Sequence, residues 1–468
     1  MFTHATHPTH TRQHAIVIGG SMAGLLTARV LSQHFAQVTL VERDKITDQA
    51  ETRKGQPHTS HLHGLLAKGL ATMVGYFPTL IADLTAGDAR IADMGQGMRW
   101  YTFGGYRQQF QSGMIGALMS RPFLEWQIRR YVVALPNVTV IDECDVAGLL
   151  TNVSKTRIIG VAVTQRSQGN QAESRLADLV VDASGRGSAS PQWLVKLGYA
   201  QPQTSMVKVN VGYATRIYRR KPGDLEGAEL LMVAPDAPHG KRTGLIFPIE
   251  GERWICTLGG WAGDHPPTDA AGFMAFAHSL PAPDVHQMLT RLEPISPIAS
   301  YKFPSSLRRH YEGLQRFPEG YLVLGDAICS FNPVYGQGMT SATLQAAALD
   351  TLLQTHTTDI GLWGDFFKAA ASVVDIPWQL AVGEDFRFLE TEGKKPAGTE
   401  LINAYVTKVH QATHHDPVVY AAFLNVMNLM AAPTSLFHPK LLWRVLRGKP
   451  RKQPVVPMQE TKAAYVQL

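Results

Sequence analysis

The spacing of apolar and polar residues predicts a βαβ unit near the start of the chain. A short apolar strand, AIVIGG, precedes a helical stretch, SMAGLLTARVLSQHF, and a second strand, QVTLVERD, follows it. Four later segments, VTVIDE, VAGLLTN, RIIGVAVTQ and ADLVVDASG, are predicted to be strands that return to the first sheet. This alternation of strands and helices is typical of an α/β fold.

A different periodicity runs from Val207 to Trp261. Apolar positions alternate with period two in VKVNVGYATRIY, AELLMVA, GLIFPIE and RWICTLGGW, and short turns separate these segments. Alternation over several strands joined by short turns predicts an antiparallel sheet with one covered face. Helical spacing is found at 121–131, 337–357 and 361–374, and the chain is predicted to stay mostly helical to about Leu446.

Charge and cysteine content narrow the choice of partners. The chain has 468 residues and a net charge of +6, and six of its 44 basic residues lie between Pro439 and Pro454, a stretch without acidic residues. The rest of the chain is neutral, so no nucleic-acid partner is expected. The three cysteines form no CxxC pair, which predicts neither a disulfide framework nor a zinc site and favours a cytoplasmic location.

No transmembrane segment is expected. The most apolar stretch, residues 418–432, carries Asn425 and Asn428 and is shorter than the roughly 20 apolar residues of a bilayer span. The basic stretch from Leu441 to Lys452 interleaves leucines and Trp443 with cations. Peripheral contact with a membrane surface is one interpretation of it, and a closing helix with a solvated cationic edge is the other.

The turn between the first strand and helix carries a phosphate-binding pattern. In Gly19–Gly24, Gly19 permits the tight turn, small Ser21 allows the backbone to approach a pyrophosphate, and Gly24 allows close packing of helix and strand. Glu42 lies 23 positions after Gly19, where a carboxylate accepts hydrogen bonds from ribose hydroxyls. Serine replaces the second glycine of GxGxxG. This motif alone leaves FAD and NAD open as cofactors.

A second motif, GYLVLGDAICSFNPVYGQGM, favours FAD. Asp326 ends a strand, where its carboxylate suits the hydroxyls of a polyol chain, and Gly338 opens an Ala-rich helix. Backbone N–H groups at that helix start suit the negative charge that develops on a flavin ring. A nicotinamide dinucleotide has no ribityl chain, so a second anchor some 300 residues downstream indicates FAD.

With these motifs the chain resembles the para-hydroxybenzoate-hydroxylase-like flavoprotein superfamily, in which GD…P…GxGM is the ribityl and isoalloxazine signature. The resemblance implies that Arg121, in Ser-Arg-Pro, reaches the cofactor near its pyrophosphate. It also implies a role in FAD and transient NADPH binding for 182–188. There, Ser184 stands where Asp is usual, and a plain tight turn is the alternative.

The segment RKGQPHTSHLHGLL (53–66) resembles the RxGxPQxxHxHxLL stretch of bacterial flavin epoxidases that act on polyether polyketide precursors. Trp378, Gly383–Asp385 and the tail VVYAAFLNVMNLMAAPTSLFHP extend the resemblance over most of the chain. His58, His61 and His63 suggest a metal site, but no cysteine or carboxylate completes one and no metal is predicted. The predicted cofactor-binding residues are Gly19, Gly20, Ser21, Ala23, Gly24, Glu42, Arg43, Arg53, Arg121, Val146, Asp326, Pro333, Gly336, Gly338 and Met339.

Together these features predict a Rossmann-like FAD-binding domain, an interleaved antiparallel-sheet substrate domain and a helical C-terminal region. The FAD-binding domain is predicted at 13–95, 120–200 and 305–360, and the substrate domain at 96–119 and 201–304. The remaining predicted parts are C-terminal helices at 361–450 and flexible tails at 1–12 and 453–468.

The resemblance implies an FAD-dependent monooxygenase that uses NAD(P)H and O2. Through a flavin C4a-hydroperoxide it would epoxidise or hydroxylate a lipophilic small molecule. The cofactor carries this chemistry, and no catalytic side chain is predicted. A reductase of prenyl double bonds similar to geranylgeranyl reductases is the alternative. A flavin halogenase, for which no GWxWxIP-like segment is found, and a non-catalytic flavin-binding protein rank below it. Candidate substrate contacts are Tyr101, Tyr213 and Trp254.

Overall fold

A computed structural model describes residues 12–447 of the chain, so most of both predicted tails lies outside the described residues. The strands are β1 (Arg12–Ile18), β2 (Phe35–Val41), β3 (Arg90–Asp93), β4 (Met98–Thr102), β5 (Gly105–Tyr106), β6 (Ile115–Leu118), β7 (Val138–Ile141), β8 (Cys144–Thr151), β9 (Ile158–Gln165), β10 (Gln171–Leu176), β11 (Leu179–Asp182), β12 (Gln203–Arg219), β13 (Leu230–Val233), β14 (Arg242–Ile249), β15 (Arg253–Gly260), β16 (Ala299–His310), β17 (Tyr321–Val323) and β18 (Cys329–Ser330). The helices are α1 (Met22–Leu31), α2 (Ala67–Tyr76), α3 (Leu80–Ala86), α4 (Arg121–Val133), α5 (Ser190–Lys196), α6 (Ala270–His278), α7 (Asp284–Leu289), α8 (Gly338–Thr355), α9 (Leu362–Asp385), α10 (Thr399–Ala412), α11 (Pro417–Met427) and α12 (Pro439–Arg447).

A five-stranded parallel sheet carries the predicted βαβ unit. Its order is β17-β11-β1-β2-β7, and its centre is buried on both faces, as the uninterrupted apolar run Ala15–Ile18 requires. Helices α1 and α8 pack against each other beside it. The turns after β1, β11 and β17 therefore meet at one edge of the sheet, where the carboxyl ends of the strands lie. The predicted α/β fold is confirmed.

The prediction that all four later segments return to this sheet is wrong for two of them. β7 and β11 join the parallel sheet, whereas β8 and β9 pair with β10 in a separate three-stranded antiparallel sheet. A strand inside a parallel sheet needs apolar residues on both faces. β10, QAESRL, is almost entirely exposed, so this hairpin belongs at the surface.

The predicted antiparallel sheet is an eight-stranded sheet in the order β18-β16-β12-β15-β14-β13-β4-β5. It is mixed rather than purely antiparallel, because β4 pairs in parallel with β13 (Met98 opposite Leu230). β6, predicted to belong to it, pairs with β3 instead. β16 also crosses the predicted domain boundary between residues 304 and 305. It pairs with β18, which lies within the second predicted cofactor motif.

Helices α10, α11 and α12 share a hydrophobic core with the large sheet, whereas α9 packs mainly against α8. α9 was predicted to end at residue 374 but continues through Pro377 to Asp385, and its buried residues follow the spacing of one helical face over the whole length. Arg107 joins α10 and α11 to β4, since its buried guanidinium lies 3.9 Å from the ring centre of Trp100 and 4.2 Å from that of Phe423.

The basic C-terminal stretch is described only in part. In α12, Arg444 pairs with Asp416 at 2.8 Å, and Trp443 and Leu446 are exposed. Lys449, Arg451 and Lys452 lie outside the described residues, and membrane contact by this stretch stays a prediction. Between residues 12 and 447, no helix combines the length and the apolar character that a bilayer crossing demands.

Candidate active site

A cleft of about 640 Å³ opens at the carboxyl edge of the parallel sheet. Its volume lies within the range of small-molecule sites, about 300–1,000 Å³. Thirteen predicted cofactor residues line it: Gly19, Gly20, Ser21, Ala23, Glu42, Arg43, Arg121, Val146, Asp326, Pro333, Gly336, Gly338 and Met339. Gly24 and Arg53 do not line it. The structure thus brings together two motifs that are about 300 residues apart in the sequence.

The turn at Gly19 is shaped by backbone contacts that leave no room for side chains. Gly19 has a φ of +100°, and a Cβ there would lie 2.7 Å from the carbonyl oxygen of Ala183 on the neighbouring strand. A Cβ on Gly24 would lie 1.7 Å from the carbonyl oxygen of Gly19. Gly24 therefore acts beneath the cleft, where it lets α1 begin close to β1.

Glu42 holds this turn in place. Its Oε2 accepts a hydrogen bond from the Gly20 backbone N–H at 2.6 Å, and its Oε1 accepts one from the Asp44 N–H at 2.8 Å. Arg53 Nη1 lies 3.2 Å from the same carboxylate. Glu42 therefore has a structural role in the turn. Its predicted role, in which the carboxylate accepts hydrogen bonds from ribose hydroxyls, stays a prediction.

A buried charge cluster, consisting of Arg53, Arg121, Glu125 and Arg129, lies next to the turn. Glu125 Oε1 is 2.5 Å from Arg53 Nη2 and 3.8 Å from Arg129 Nη1, while its Oε2 is 2.9 Å from Arg121 Nη2. Burial acts to raise the pKa of Glu125, but Arg121 and Arg53 outweigh it and hold that pKa below its usual value. Glu125 is not among the residues predicted from the sequence. Its spacing of four residues from Arg121 on a helix is the signal that could have found it.

The charge cluster presents one positively charged side chain, that of Arg121, to the cleft. Arg121 Nη2 donates to Ser21 Oγ at 3.0 Å, whereas its Nη1 is buried with no hydrogen-bond partner among the described residues. Ser21 is the N-cap of α1, and its side chain does not cap the helix. Free N–H groups at a helix start favour an anion, so helix and guanidinium point to the same kind of ligand.

The second motif forms the opposite wall. The Gly325 N–H donates to Gln345 Oε1 at 2.9 Å, which fixes the turn that carries Asp326. Burial raises the pKa of the Asp326 carboxyl to about 6, although the positive charges of Arg186 and Arg121 act to lower it.

Arg186 also lines the cleft and was not predicted, although it lies in the 182–188 motif. In that motif Asp182 accepts hydrogen bonds from Ser184, Ser188 and Ser190, as in a tight turn.

An apolar cavity of about 160 Å³ adjoins the cleft, between the large sheet and the C-terminal helices. The two spaces share a wall formed by His58, His63, Gly64, Tyr301, Pro333 and Gly336. Of the candidate substrate contacts, Tyr213 lines the cavity. Trp254 packs in the core below α6 and α7 and donates to Asp224 at 3.0 Å, and Tyr101 packs against Tyr106, so neither lines it.

The three histidines of the 53–66 segment are neutral. Burial lowers the pKa of His58 and of His61 to about 4 and that of His63 to about 3. Only His58 and His63 face the shared wall, and His61 Nδ1 is bonded to Thr215 Oγ1 at 2.7 Å. No group of three or more potential metal-binding side chains occurs in the part of the chain that the structure describes.

A buried carboxylate supports the loop at 332–336. Asp385 Oδ1 accepts hydrogen bonds from Asn332 Nδ2 at 2.9 Å and from the Tyr335 hydroxyl at 2.8 Å. Its Oδ2 is buried and has no partner among the described residues. Burial raises the pKa of Asp385 to about 7, so its protonated form is favoured in the folded protein.

Asp385→Asn is therefore expected to change the pH dependence of stability. A raised folded-state pKa means that the folded protein binds the proton more tightly. The free energy of unfolding should then fall as pH rises from the ordinary value of 3.8 to about 7, by up to about 1.4 kcal/mol per pH unit. Urea denaturation of both proteins between about pH 5 and pH 8 measures it. Parallel pH profiles for wild type and variant would contradict the assignment.

Comparison with known proteins gives related sequences and structures, although no family model matches the chain. Protein Rv3254 of Mycobacterium tuberculosis is 31% identical over 478 residues, which cover 95% of this chain and 97% of that protein. Kynurenine 3-monooxygenase of Salinispora arenicola is 25% identical over 361 residues, 74% of this chain and 73% of that one. The flavin-dependent brominase Bmp2 superposes with a TM-score of 0.64 at 12% identity, over 92% of this chain and 98% of the brominase.

The chain has the fold of the flavin-dependent brominase, and it combines a cleft within the size range of small-molecule sites with an adjoining apolar cavity. It belongs to the same family as Protein Rv3254, since the two sequences are 31% identical and align over nearly their whole lengths. The sequence similarity to kynurenine 3-monooxygenase does not favour the predicted alternative, a prenyl reductase. The likeness to the brominase concerns the fold alone.

Proposed function

We propose that the protein binds FAD in the cleft and uses NAD(P)H and O2 to epoxidise or hydroxylate a lipophilic small molecule in the adjoining cavity. The observation that carries this proposal is the shared wall. Pro333 and Gly336, from the predicted isoalloxazine signature, border both spaces. A substrate in the cavity is therefore in reach of the flavin end of the cleft.

The residues present fit FAD. The glycine turn brings backbone without side chains to the edge of the cleft, and the unpartnered Nη1 of Arg121 suits a phosphate oxygen. Asp326 faces the cleft from the opposite wall, where its carboxylate suits ribityl hydroxyls. When bound, FAD supplies the redox chemistry and the activation of oxygen. The protein's contribution is to orient it and to exclude water from the cavity.

The lining of the cavity supports a lipophilic substrate. Its wall is mostly apolar and includes Met98, Leu118, Met232, Phe247 and Leu424. A volume of about 160 Å³ is close to that of an engineered cavity that binds benzene, about 150 Å³. The part of the substrate held here is thus a ring or a short branched chain. The resemblance to polyether-type epoxidases agrees with such a substrate and stays a prediction.

The test is oxygen uptake by the purified yellow protein with NADH and with NADPH. We expect one of the two to reduce the flavin and uptake to increase with substrate. Isotopically labelled O2 should deliver one labelled atom to the product, whereas a prenyl reductase would add two hydrogens and no label. No reduction by either nicotinamide would contradict direct NAD(P)H use, and an unlabelled product would contradict monooxygenation.

Asp326→Ala is expected to weaken FAD binding. A hydrogen bond to a charged group contributes about 1.5–3 kcal/mol, which corresponds to a roughly tenfold to hundredfold higher dissociation constant. Titration of apoprotein with FAD, followed by flavin fluorescence, measures it. Asp365→Ala is the matched control, because Asp365 is exposed on α9 and does not line the cleft. Equal affinities in both variants would count against the assigned role.

A further inference from the structure

The wall shared by the cleft and the cavity contains one polar atom of defined hydrogen-bonding character. His63 Nδ1 lies 2.9 Å from the backbone carbonyl oxygen of His61. A carbonyl oxygen only accepts hydrogen bonds, so Nδ1 must carry the proton. The ring is neutral because burial lowers its pKa to about 3. Its Nε2 therefore has no proton and is an acceptor.

His63 Nε2 has no partner among the described residues. The Nδ1 contact is the single hydrogen bond of this ring, and the ring lines both the cleft and the cavity. His58, its neighbour at a ring-centre distance of 5.7 Å, is also neutral and offers no charge to pair with. An acceptor left open in a mostly apolar cavity selects for a ligand that brings a donor.

Four other polar side chains of the cavity wall are already engaged in hydrogen bonds. The Tyr213 hydroxyl donates to Asn332 at 2.7 Å, the Tyr335 hydroxyl to Asp385 at 2.8 Å, and Thr243 Oγ1 to a backbone carbonyl at 2.7 Å. Thr257 Oγ1 lies 2.7 Å from Thr215 Oγ1. His58 and Tyr301 in the shared wall and His61 in the cavity wall also have polar atoms without a partner among the described residues. Of these wall residues, His63 is the one whose backbone contact fixes the open atom as an acceptor, and it lies next to Pro333 and Gly336.

We propose that His63 selects substrates that carry an uncharged hydroxyl, whose O–H donates to Nε2 at the junction of cavity and cleft. This inference rests on the proposed function, because it takes the cavity as the substrate site. It narrows the substrate class from lipophilic molecules to apolar alcohols and phenols. An ether or a ketone has no donor for Nε2, and a carboxylate would pay for its desolvation without a cation in this wall. A flavin imide N–H is the other donor that could use the same acceptor, and the test separates the two.

The experiment measures binding of two isosteric probes, 1-naphthol and 1-methylnaphthalene, to the FAD-loaded protein by calorimetry. Wild type should bind the naphthol at least about fivefold more tightly, as one net hydrogen bond allows. His63→Phe should remove this preference and keep the affinity for 1-methylnaphthalene within about twofold. His63→Gln, which retains an amide oxygen as acceptor, should restore part of the preference. His278→Phe, exposed on α6, is the control.

Two outcomes would overturn the inference. A preference for the naphthol that persists in His63→Phe, or is absent in wild type, would show that His63 does not bind the hydroxyl. Loss of FAD affinity in His63→Phe without loss of probe preference would assign Nε2 to the flavin instead. Probe binding requires no turnover, so absence of oxygen uptake would contradict the proposed function while this comparison still gives its own answer.

Discussion

Gly24→Ala is expected to give a protein that neither folds stably nor retains flavin. The added Cβ would lie 1.7 Å from the Gly19 carbonyl oxygen and 2.9 Å from the Gly19 carbonyl carbon. These atoms are backbone, so no side-chain rotation relieves the collision. α1 would have to move away from β1, which separates a deeply buried helix from a central strand of the parallel sheet. Overpacking of this kind costs about 1–3 kcal/mol, occasionally more, and this site has little room to relax.

Urea denaturation and the flavin absorbance of the purified protein measure this effect. Gly75→Ala is the matched control, because a Cβ at Gly75 in α2 meets no atom within 4 Å. Alanine in a helix should stabilise that variant by about 0.5–1 kcal/mol. Wild-type stability and flavin content in Gly24→Ala would show that the turn is built differently.

Glu125→Ala is expected to lower the free energy of unfolding by about 3–5 kcal/mol, because removal of one partner leaves buried charges uncompensated. Glu125 lies 2.5 Å from Arg53, 2.9 Å from Arg121 and 3.8 Å from Arg129, and all four side chains are less than 10% exposed. Glu400→Ala is the control. It breaks an exposed pair with Lys395 and should cost less than about 1 kcal/mol.

The same variant separates a structural role of the cluster from anion binding. If the positive edge of the cleft faces a pyrophosphate, FAD should restore part of the lost stability, since its negative charge replaces that of Glu125. Denaturation of Glu125→Ala with and without FAD measures this difference. A larger gain for Glu125→Ala than for wild type is the expected result, and equal gains would place the phosphates elsewhere.

Much of the cleft was predictable because its parts obey local rules. An uninterrupted apolar strand followed by a glycine turn belongs in a parallel sheet, and the turns after such strands meet at one edge. This is why Gly19 and Asp326 come together although 307 positions separate them. The period-two alternation in Val207–Trp261 likewise identified four of the eight strands of the large sheet.

The parts that were missed depend on tertiary pairing. The parallel contact of β4 with β13 joins segments more than 100 residues apart, and no periodicity encodes the direction of such a pair. Arg53 lies in a motif that suggests cofactor contact, yet the structure places it behind the turn, in the cluster around Glu125. The tautomer of His63 follows from one backbone contact that spacing along the chain does not reveal.

Asn332 connects the wall of the cavity to the loop that separates the cavity from the cleft. It accepts a hydrogen bond from Tyr213, which lines the cavity, and donates one to Asp385, and it precedes the loop of Pro333 and Gly336. A small molecule in the cavity that displaces Tyr213 would therefore perturb the loop that borders the cleft, where the cofactor would bind. Thermodynamic reciprocity then requires that occupancy of either space alter the affinity of the other by the same factor, so that the order of loading leaves the final binding free energy unchanged.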